Sequence, residues 1–126
     1  MPAAPRHVLI ADDERDITTV LARIITPLGL IPIVVHSGSN AITAAQTHAH
    51  ELCLAILDIQ MPGINGVDAA IAIYQLVPHV PIVLMSGGIP QNLATRIAQI
   101  PLAGMLTKPF RIQEVNLLLV RIGLIP

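Results

Sequence analysis

Short apolar runs alternate with stretches of helical periodicity along the 126 residues of the chain. A run that is apolar almost throughout is typical of a strand that is buried on both faces of a sheet. By this criterion the sequence predicts strands at His7–Ala11, Ile31–Val35, Leu54–Asp58, Val80–Met85 and Leu102–Thr107. The third run is the most informative, because it leads to a single carboxylate, Asp58, which is followed by a Pro-Gly turn.

Between these runs, apolar residues recur every three or four positions, which is the spacing of one face of a helix. The first such stretch begins near Asp16 and ends at Pro27 and Gly29. Later helices are predicted at about 41–49, 67–76, 90–99 and 112–122. Residues 37–40 form a loop with capping residues before the second helix, and Pro90 suits the first turn of the fourth. The pattern is therefore strand then helix, repeated five times.

Regular alternation of strand and helix implies an α/β domain with a parallel sheet and helices on both faces. Right-handed crossovers leave few topologies for such a doubly wound (βα)5 arrangement. Pro32 in the second strand favours an edge position, where one missing backbone donor is tolerated. The sequence contains no linker and no low-complexity segment, so we predict a single domain over residues 1–126 with its core at about 7–122.

Composition excludes several classes of function. Apolar residues make up 53% of the chain and charged residues 12%, which is typical of a globular domain and not of a disordered one. Seven Lys plus Arg, a net charge of −1, one Phe and one Tyr argue against direct binding of nucleic acid. The apolar runs are too short to span a membrane. The lone Cys53 fits a reducing compartment, so we expect a cytoplasmic domain.

Polar residues follow or end four of the predicted strands. Asp12 and Asp13 follow the first, Asp58 ends the third, Ser86 follows the fourth and Lys108 follows the fifth. Because ligands of doubly wound sheets bind outside the carboxyl ends of the strands, we expect these side chains to meet there. Converging carboxylates raise one another's pKa values unless a cation is present. Mg²⁺ suits such a site, since it binds through one or two carboxylates and bridges to phosphate oxygens.

The chemistry that this site supports is phosphoryl transfer to a carboxylate nucleophile. The metal ion and Lys108 would neutralise charge on the transferring group, and Ser86 would offer a hydroxyl donor. Asp58 is the natural nucleophile, because Asp12 and Asp13 are adjacent in sequence and can share the metal. Each signal is weak alone, so the prediction depends on their placement at the ends of different strands.

The same segments resemble the receiver domain of two-component response regulators, over essentially the whole length from His7 to Ile122. The matching segments are Ile10–Glu14 (acidic pair), Leu57–Gly66 (phosphoacceptor strand and loop), Leu84–Gly87 (hydroxyl position) and Thr107–Phe110 (Lys-Pro). The phosphoacceptor segment is the most specific of them. The resemblance implies a flavodoxin-like fold, similar to the chemotaxis receiver, with strand order 2-1-3-4-5.

The resemblance also implies a role for each site residue. A sensor histidine kinase or a phosphotransfer protein would supply the phosphoryl group, and Asp58 would accept it. Asp13, Asp58 and the backbone carbonyl of Gln60 would hold Mg²⁺, with Asp12 placing a water on the metal. Phosphorylation would add about two negative charges at neutral pH.

The resemblance also implies a conformational switch of one surface. Ser86 and Lys108 would move toward the new oxygens and bias the face made by the fourth helix, the fifth strand and the fifth helix. The Lys108–Pro109 bond would be cis, which proline makes feasible. Met105 stands where the family usually carries an aromatic switch residue, so a smaller thioether movement would replace ring rotation, or the switch would be lost. Two residues after Ser86, the family often carries a side chain that screens the phosphoryl group. Gly88 stands at this position and offers none.

The predicted last helix is apolar on more than one side, which is typical of a helix with two contact faces. The core stripe is Val115, Leu118, Leu119 and Ile122, and the additional apolar residues are Leu117, Val120 and Leu124. The low charge of the chain leaves further apolar surface to be covered. We therefore expect a homodimer or a neighbouring domain on this face; the alternative is ordinary surface leucine.

We expect a signalling switch and not an enzyme, since its only turnover would be self-phosphorylation from phosphodonors and slow autodephosphorylation. A small phosphohydrolase with an Asp nucleophile is disfavoured, because Gln60 stands where those enzymes place a second acid. A degenerate receiver, acting only as a phosphorylation-independent binding or dimerisation module, is a further alternative that Met105 leaves open. The intact acidic residues and Lys108 argue against it.

Overall fold

A parallel sheet forms the centre of the computed structural model, which describes residues 4–126. Its strands are β1 (His7–Ala11), β2 (Ile31–Val35), β3 (Leu52–Asp58), β4 (Ile82–Ser86) and β5 (Gly104–Thr107). They lie in the order β2-β1-β3-β4-β5, which confirms the predicted strand order. β2 is an edge strand, so the missing backbone donor of Pro32 leaves no gap in the interior of the sheet, as predicted.

Helices cover both faces of this sheet. They are α1 (Arg15–Ile25), α2 (Gly38–Thr47), α3 (Gly66–Leu76), α4 (Ala94–Ile97) and α5 (Ile112–Ile122). Alternate strand residues point to opposite faces, so Leu9 packs in one apolar cluster with α2 and α3, whereas Val8 and Ile10 pack in the other with α1 and α5. The predicted doubly wound α/β fold is therefore confirmed.

Capping residues account for where several helices begin and end. α2 starts at Gly38, inside the predicted loop, because the Ser37 hydroxyl accepts a hydrogen bond from the Asn40 amide at 3.1 Å. α5 has the predicted bounds and ends at Gly123, whose φ of 90° lies in the left-handed region that favours glycine. Among the described residues, no helix is long and apolar enough to span a membrane.

The predicted helix at 90–99 is wrong in length. Pro90 is extended, Gln91–Leu93 forms a 3-10 turn, and α4 itself has four residues. The physical reason is that few apolar side chains of this segment reach the core: Leu93 and Ile97 are only partly buried against it, and Pro101 follows closely. The face expected from the fourth helix, β5 and α5 therefore contains only a short α4.

The last helix divides its apolar residues between the core and the surface. Val115 and Leu119 are fully buried, whereas Leu117 is 50% exposed and Val120 is 44% exposed. Leu124 packs partly against the core, so its assignment to the additional apolar face was wrong. It lies beyond Gly123, where the helix has ended.

Candidate functional site

The first two acidic segments meet because their strands are neighbours in the sheet. Ala11 pairs with Leu57, so Asp12 and Asp58 follow at the same level of β1 and β3. Asp12, Asp13 and Asp58 each place a carboxylate oxygen within 4.8 Å of the others. The structure thus brings together the three carboxylates that were predicted to converge.

These carboxylates differ in burial, and the difference affects their charge. Asp12 is fully buried, Asp58 is 4% exposed and Asp13 lies at the surface. Burial, and next the negative charge of Asp12, raise the pKa of Asp58 from 3.8 to about 6. Lys108 and the backbone amide of Gln60 act in the opposite direction but do not cancel the shift. A cation at this point would relieve the repulsion.

Lys108 connects the acidic groups through one ammonium. Its Nζ lies 2.7 Å from Asp12 Oδ2, 3.3 Å from Asp58 Oδ1 and 3.3 Å from Glu14 Oε1. Burial tends to lower the pKa of Lys108, but the hydrogen bond and charge of Asp12, with the charge of Asp58, outweigh it and raise the pKa. Lys108 is therefore positively charged at neutral pH.

The remaining predicted site residues lie at or near the carboxyl ends of β3, β4 and β5. Ser86, which is 5% exposed, ends β4, and its hydroxyl accepts a hydrogen bond from the Gly88 amide at 2.8 Å. Gln60 is exposed just beyond β3. Met105 is in β5 and is 40% exposed. The Lys108–Pro109 peptide bond is cis, as the resemblance implied.

Two neighbours of the cluster escaped the sequence reasoning. Glu14 contacts Lys108, and its position directly after the acidic pair could have suggested this. His36 lies against Asp12, with its Nδ1 2.9 Å from the Asp12 carbonyl oxygen. Because His36 follows β2 and β2 lies beside β1, the strand order was the signal that could have found it.

The fold and this cluster define a class of protein: a flavodoxin-like α/β domain with an acidic site, containing a lysine, at the carboxyl ends of its strands. The sequence profile described as "Response regulator receiver domain" matches residues 8–119. The chain belongs to this family.

Curated relatives share the domain within longer proteins. The transcriptional regulatory protein PdtaR of Mycobacterium tuberculosis is 33% identical over 114 residues, which are 89% of this chain and 54% of PdtaR. Transcription factor SKN7 of Candida albicans is 29% identical over 110 residues, which are 87% of this chain and 19% of that factor. The chain therefore spans about half, or much less, of the length of these relatives.

Solved structures confirm the fold. The chain is similar to the CheX-CheY-BeF3-Mg²⁺ complex from Borrelia burgdorferi, with a TM-score of 0.83 and 22% identity over 93% of this chain and 88% of that chain. It is also similar to chemotaxis protein CheY4 of Vibrio cholerae, with a TM-score of 0.83 and 21% identity over 94% of this chain and 99% of that chain.

Proposed function

We propose that this receiver domain accepts a phosphoryl group on Asp58 in a two-component signalling pathway, with Mg²⁺ as cofactor. The observation that carries the proposal is the environment of Asp58, which is buried at the end of β3. It lies within 4.8 Å of two further carboxylates and 3.3 Å from the Lys108 ammonium. A phosphoryl group on Asp58 would meet this ammonium and the nearby Ser86 hydroxyl.

The residues at the site fit Mg²⁺. The site offers carboxylate oxygens, which this hard cation prefers. Its three carboxylates outnumber the single ammonium of Lys108, so room for a cation remains in the charge balance. Asp13 and Asp58 would hold the ion together with the Gln60 carbonyl. Asp12 would orient a water on the ion, since its own oxygens already accept hydrogen bonds from Lys108 and Glu14. When bound, Mg²⁺ would supply neutralisation of phosphoryl charge.

The chain's own groups perform the transfer by position and charge. An oxygen of ionised Asp58 forms the new bond to phosphorus while the bond from phosphorus to the partner's histidine nitrogen breaks and the imidazole leaves. Lys108 and Ser86 would then contact the phosphoryl oxygens. The donor is a phosphohistidine of a sensor kinase or phosphotransfer protein. Because the domain would turn over only its own phosphoryl group, we propose a switch and not an enzyme.

Incubation with acetyl phosphate tests this proposal directly. We expect intact-mass spectrometry of the wild-type protein to show a single phosphoryl adduct with Mg²⁺ and little adduct when Mg²⁺ is chelated. Peptide mapping should place the adduct on Asp58. If a folded protein shows neither an adduct nor a complex with beryllofluoride, the alternative of a degenerate receiver is correct.

We further propose that β5 and α5, with the short α4, form a homodimer or contact a neighbouring domain. Met105, Leu117 and Val120 support this, because they expose 40%, 50% and 44% of their surface on these elements. We also propose a cytoplasmic location, which the lone Cys53 supports. The low positive charge argues against direct contact with nucleic acid, and the short apolar runs argue against a membrane span.

Sedimentation equilibrium with and without beryllofluoride tests the α5 face. We expect Leu117→Ser to weaken self-association by about tenfold or more, because burying a leucine contributes about 1.5–3 kcal/mol. Leu76→Ser is the matched control, since Leu76 is 46% exposed on α3, outside this face. A monomer at every concentration, with and without beryllofluoride, would contradict the homodimer.

A further inference from the structure

Each hydrogen-bonding atom of Asp12 has a partner. The backbone amide donates to the Val35 carbonyl at 3.2 Å. The side-chain oxygens accept from the Glu14 amide at 2.9 Å and from Lys108 Nζ at 2.7 Å. The carbonyl oxygen lies 2.9 Å from His36 Nδ1. Three of these partners are backbone groups or the predicted lysine, and the fourth is a side chain with no role in the proposed chemistry.

A second contact fixes the tautomer of the His36 ring. Arg15 Nη1 lies 3.1 Å from His36 Nε2. A guanidinium group can only donate, so Nε2 is the nitrogen that accepts in this pair. The ring proton is then on Nδ1, where it is donated to the Asp12 carbonyl. Arg15, His36 and Asp12 thereby form a chain of hydrogen bonds from α1, past the end of β2, to the acidic pair.

We propose that His36 is a positioning residue for the acidic pair. The Asp12 carbonyl belongs to the peptide group that joins Asp12 to Asp13, so a bond that holds this oxygen also holds the plane from which Asp13 projects. Asp13 lies between β1 and α1, outside both elements, so no strand or helix of its own fixes that plane. This inference rests on the proposed function in so far as Asp13 is a metal ligand.

Two substitutions separate positioning from simple packing. His36→Ala removes the donor to the Asp12 carbonyl, whereas His36→Asn keeps one, because Asn Nδ2 and His Nδ1 are both bonded to Cγ. Both variants lack the ring nitrogen Nε2 that faces Arg15, so they differ from each other only in the donor to the Asp12 carbonyl. A matched control is His79→Ala, since His79 Nε2 lies 3.1 Å from the Ala49 carbonyl and makes the same kind of bond elsewhere.

The experiment compares the Mg²⁺ dissociation constants of these proteins by calorimetry and the ring state of His36 by ¹⁵N NMR. We expect His36→Ala to weaken Mg²⁺ binding about tenfold, as is usual for residues that orient metal ligands. His36→Asn should stay within about threefold of the wild type, and His79→Ala should bind Mg²⁺ unchanged. The proposal is overturned if His36→Ala binds Mg²⁺ like the wild type, if His36→Asn fails to rescue it, or if the ring proton is on Nε2.

The ¹³C shift of the Asp12 carbonyl in the metal-free protein separates this inference from the proposed function. If the wild type binds no Mg²⁺, the proposed function fails but His36 can still be tested. A carbonyl shift that changes in His36→Ala and returns in His36→Asn supports the positioning role. The same shift in all three proteins overturns it.

Discussion

Replacing Asp58 with asparagine is expected to abolish the phosphoryl adduct while it stabilises the metal-free protein. The amide of asparagine offers no carboxylate nucleophile, so the adduct should fall below detection in intact-mass spectra where the wild type is modified. Asp68→Asn is the matched control, because Asp68 lies on α3 and pairs with Arg96 away from the acidic cluster. An unchanged adduct in Asp58→Asn would show that another residue is the acceptor.

The gain in stability follows from the cost of burying the Asp58 charge. Burial first, and then the charge of Asp12, raise the pKa of this carboxyl group from 3.8 to about 6. Such a rise corresponds to about 3 kcal/mol, so removing the charge should increase the free energy of unfolding by about 1–3 kcal/mol at neutral pH. Lys108 keeps Asp12 as an ion-pair partner, so the substitution leaves no unpaired ammonium.

The pH dependence has a definite sign. The folded-state pKa of Asp58 lies above its ordinary value, so the folded protein binds a proton at Asp58 more tightly than the unfolded protein does. The contribution of this proton to stability is fully present below about pH 4. That contribution is lost as the pH rises through about 6. The difference in free energy of unfolding between Asp58→Asn and the wild type should therefore be small at about pH 4 and reach its full size by about pH 7.

Urea unfolding in the presence of a chelator measures the gain in stability and its pH dependence. Circular dichroism is the signal, because the chain has no Trp. Added Mg²⁺ should stabilise the wild type more than the variant and narrow the difference, since a ligand stabilises the state that binds it. Equal stability of the two metal-free proteins at pH 4 and at pH 7 would contradict the burial argument.

Strand ends are the part of the site that a sequence can predict. Apolar runs locate β1 and β3, parallel strands place their carboxyl ends together, and Asp12 and Asp58 follow from that rule. Burial first, and then the expected repulsion from Asp12, raise the pKa of Asp58 in the structure. These predictions succeed because each depends on local hydrophobicity and on one topological rule.

Contacts between distant segments require the strand order in addition to local patterns. His36 meets Asp12 only because β2 lies beside β1, and the choice of the nitrogen that carries its proton depends on Arg15. The length of α4 failed for a related reason, since tertiary packing and not helical periodicity decides how much of a short segment is helical. A spacing pattern contains no information about how many of its side chains reach the core.

Gly66 shows how a residue without predicted chemistry can still support the site. The sequence places it just before a helix and gives no reason for a glycine. In the structure, Gly66 is the first residue of α3, and its amide donates to the Ile59 carbonyl at 2.8 Å. A β-carbon there would overlap the Asp58 carbonyl oxygen and lie 2.9 Å from Ile59 Cα. The glycine permits α3 to pack directly on the backbone that presents Asp58.

Gly66→Ala is therefore expected to lower the free energy of unfolding by about 3 kcal/mol or more. The overlapping atoms are backbone, so no side chain can rotate away, and relief requires α3 or the end of β3 to move. Gly87→Ala is the matched control, because a β-carbon at Gly87 meets nothing within 4 Å. Urea unfolding of the three proteins measures the effect.

If Gly66→Ala folds, displacement of Asp58 should also weaken Mg²⁺ binding and slow phosphorylation by acetyl phosphate, whereas Gly87→Ala should leave Mg²⁺ binding unchanged. A variant as stable as the wild type, with the same affinity for Mg²⁺, would mean that α3 can shift without moving the strand end. The close contact at Gly66 would then be a packing detail, and the position of Asp58 would depend on the sheet alone.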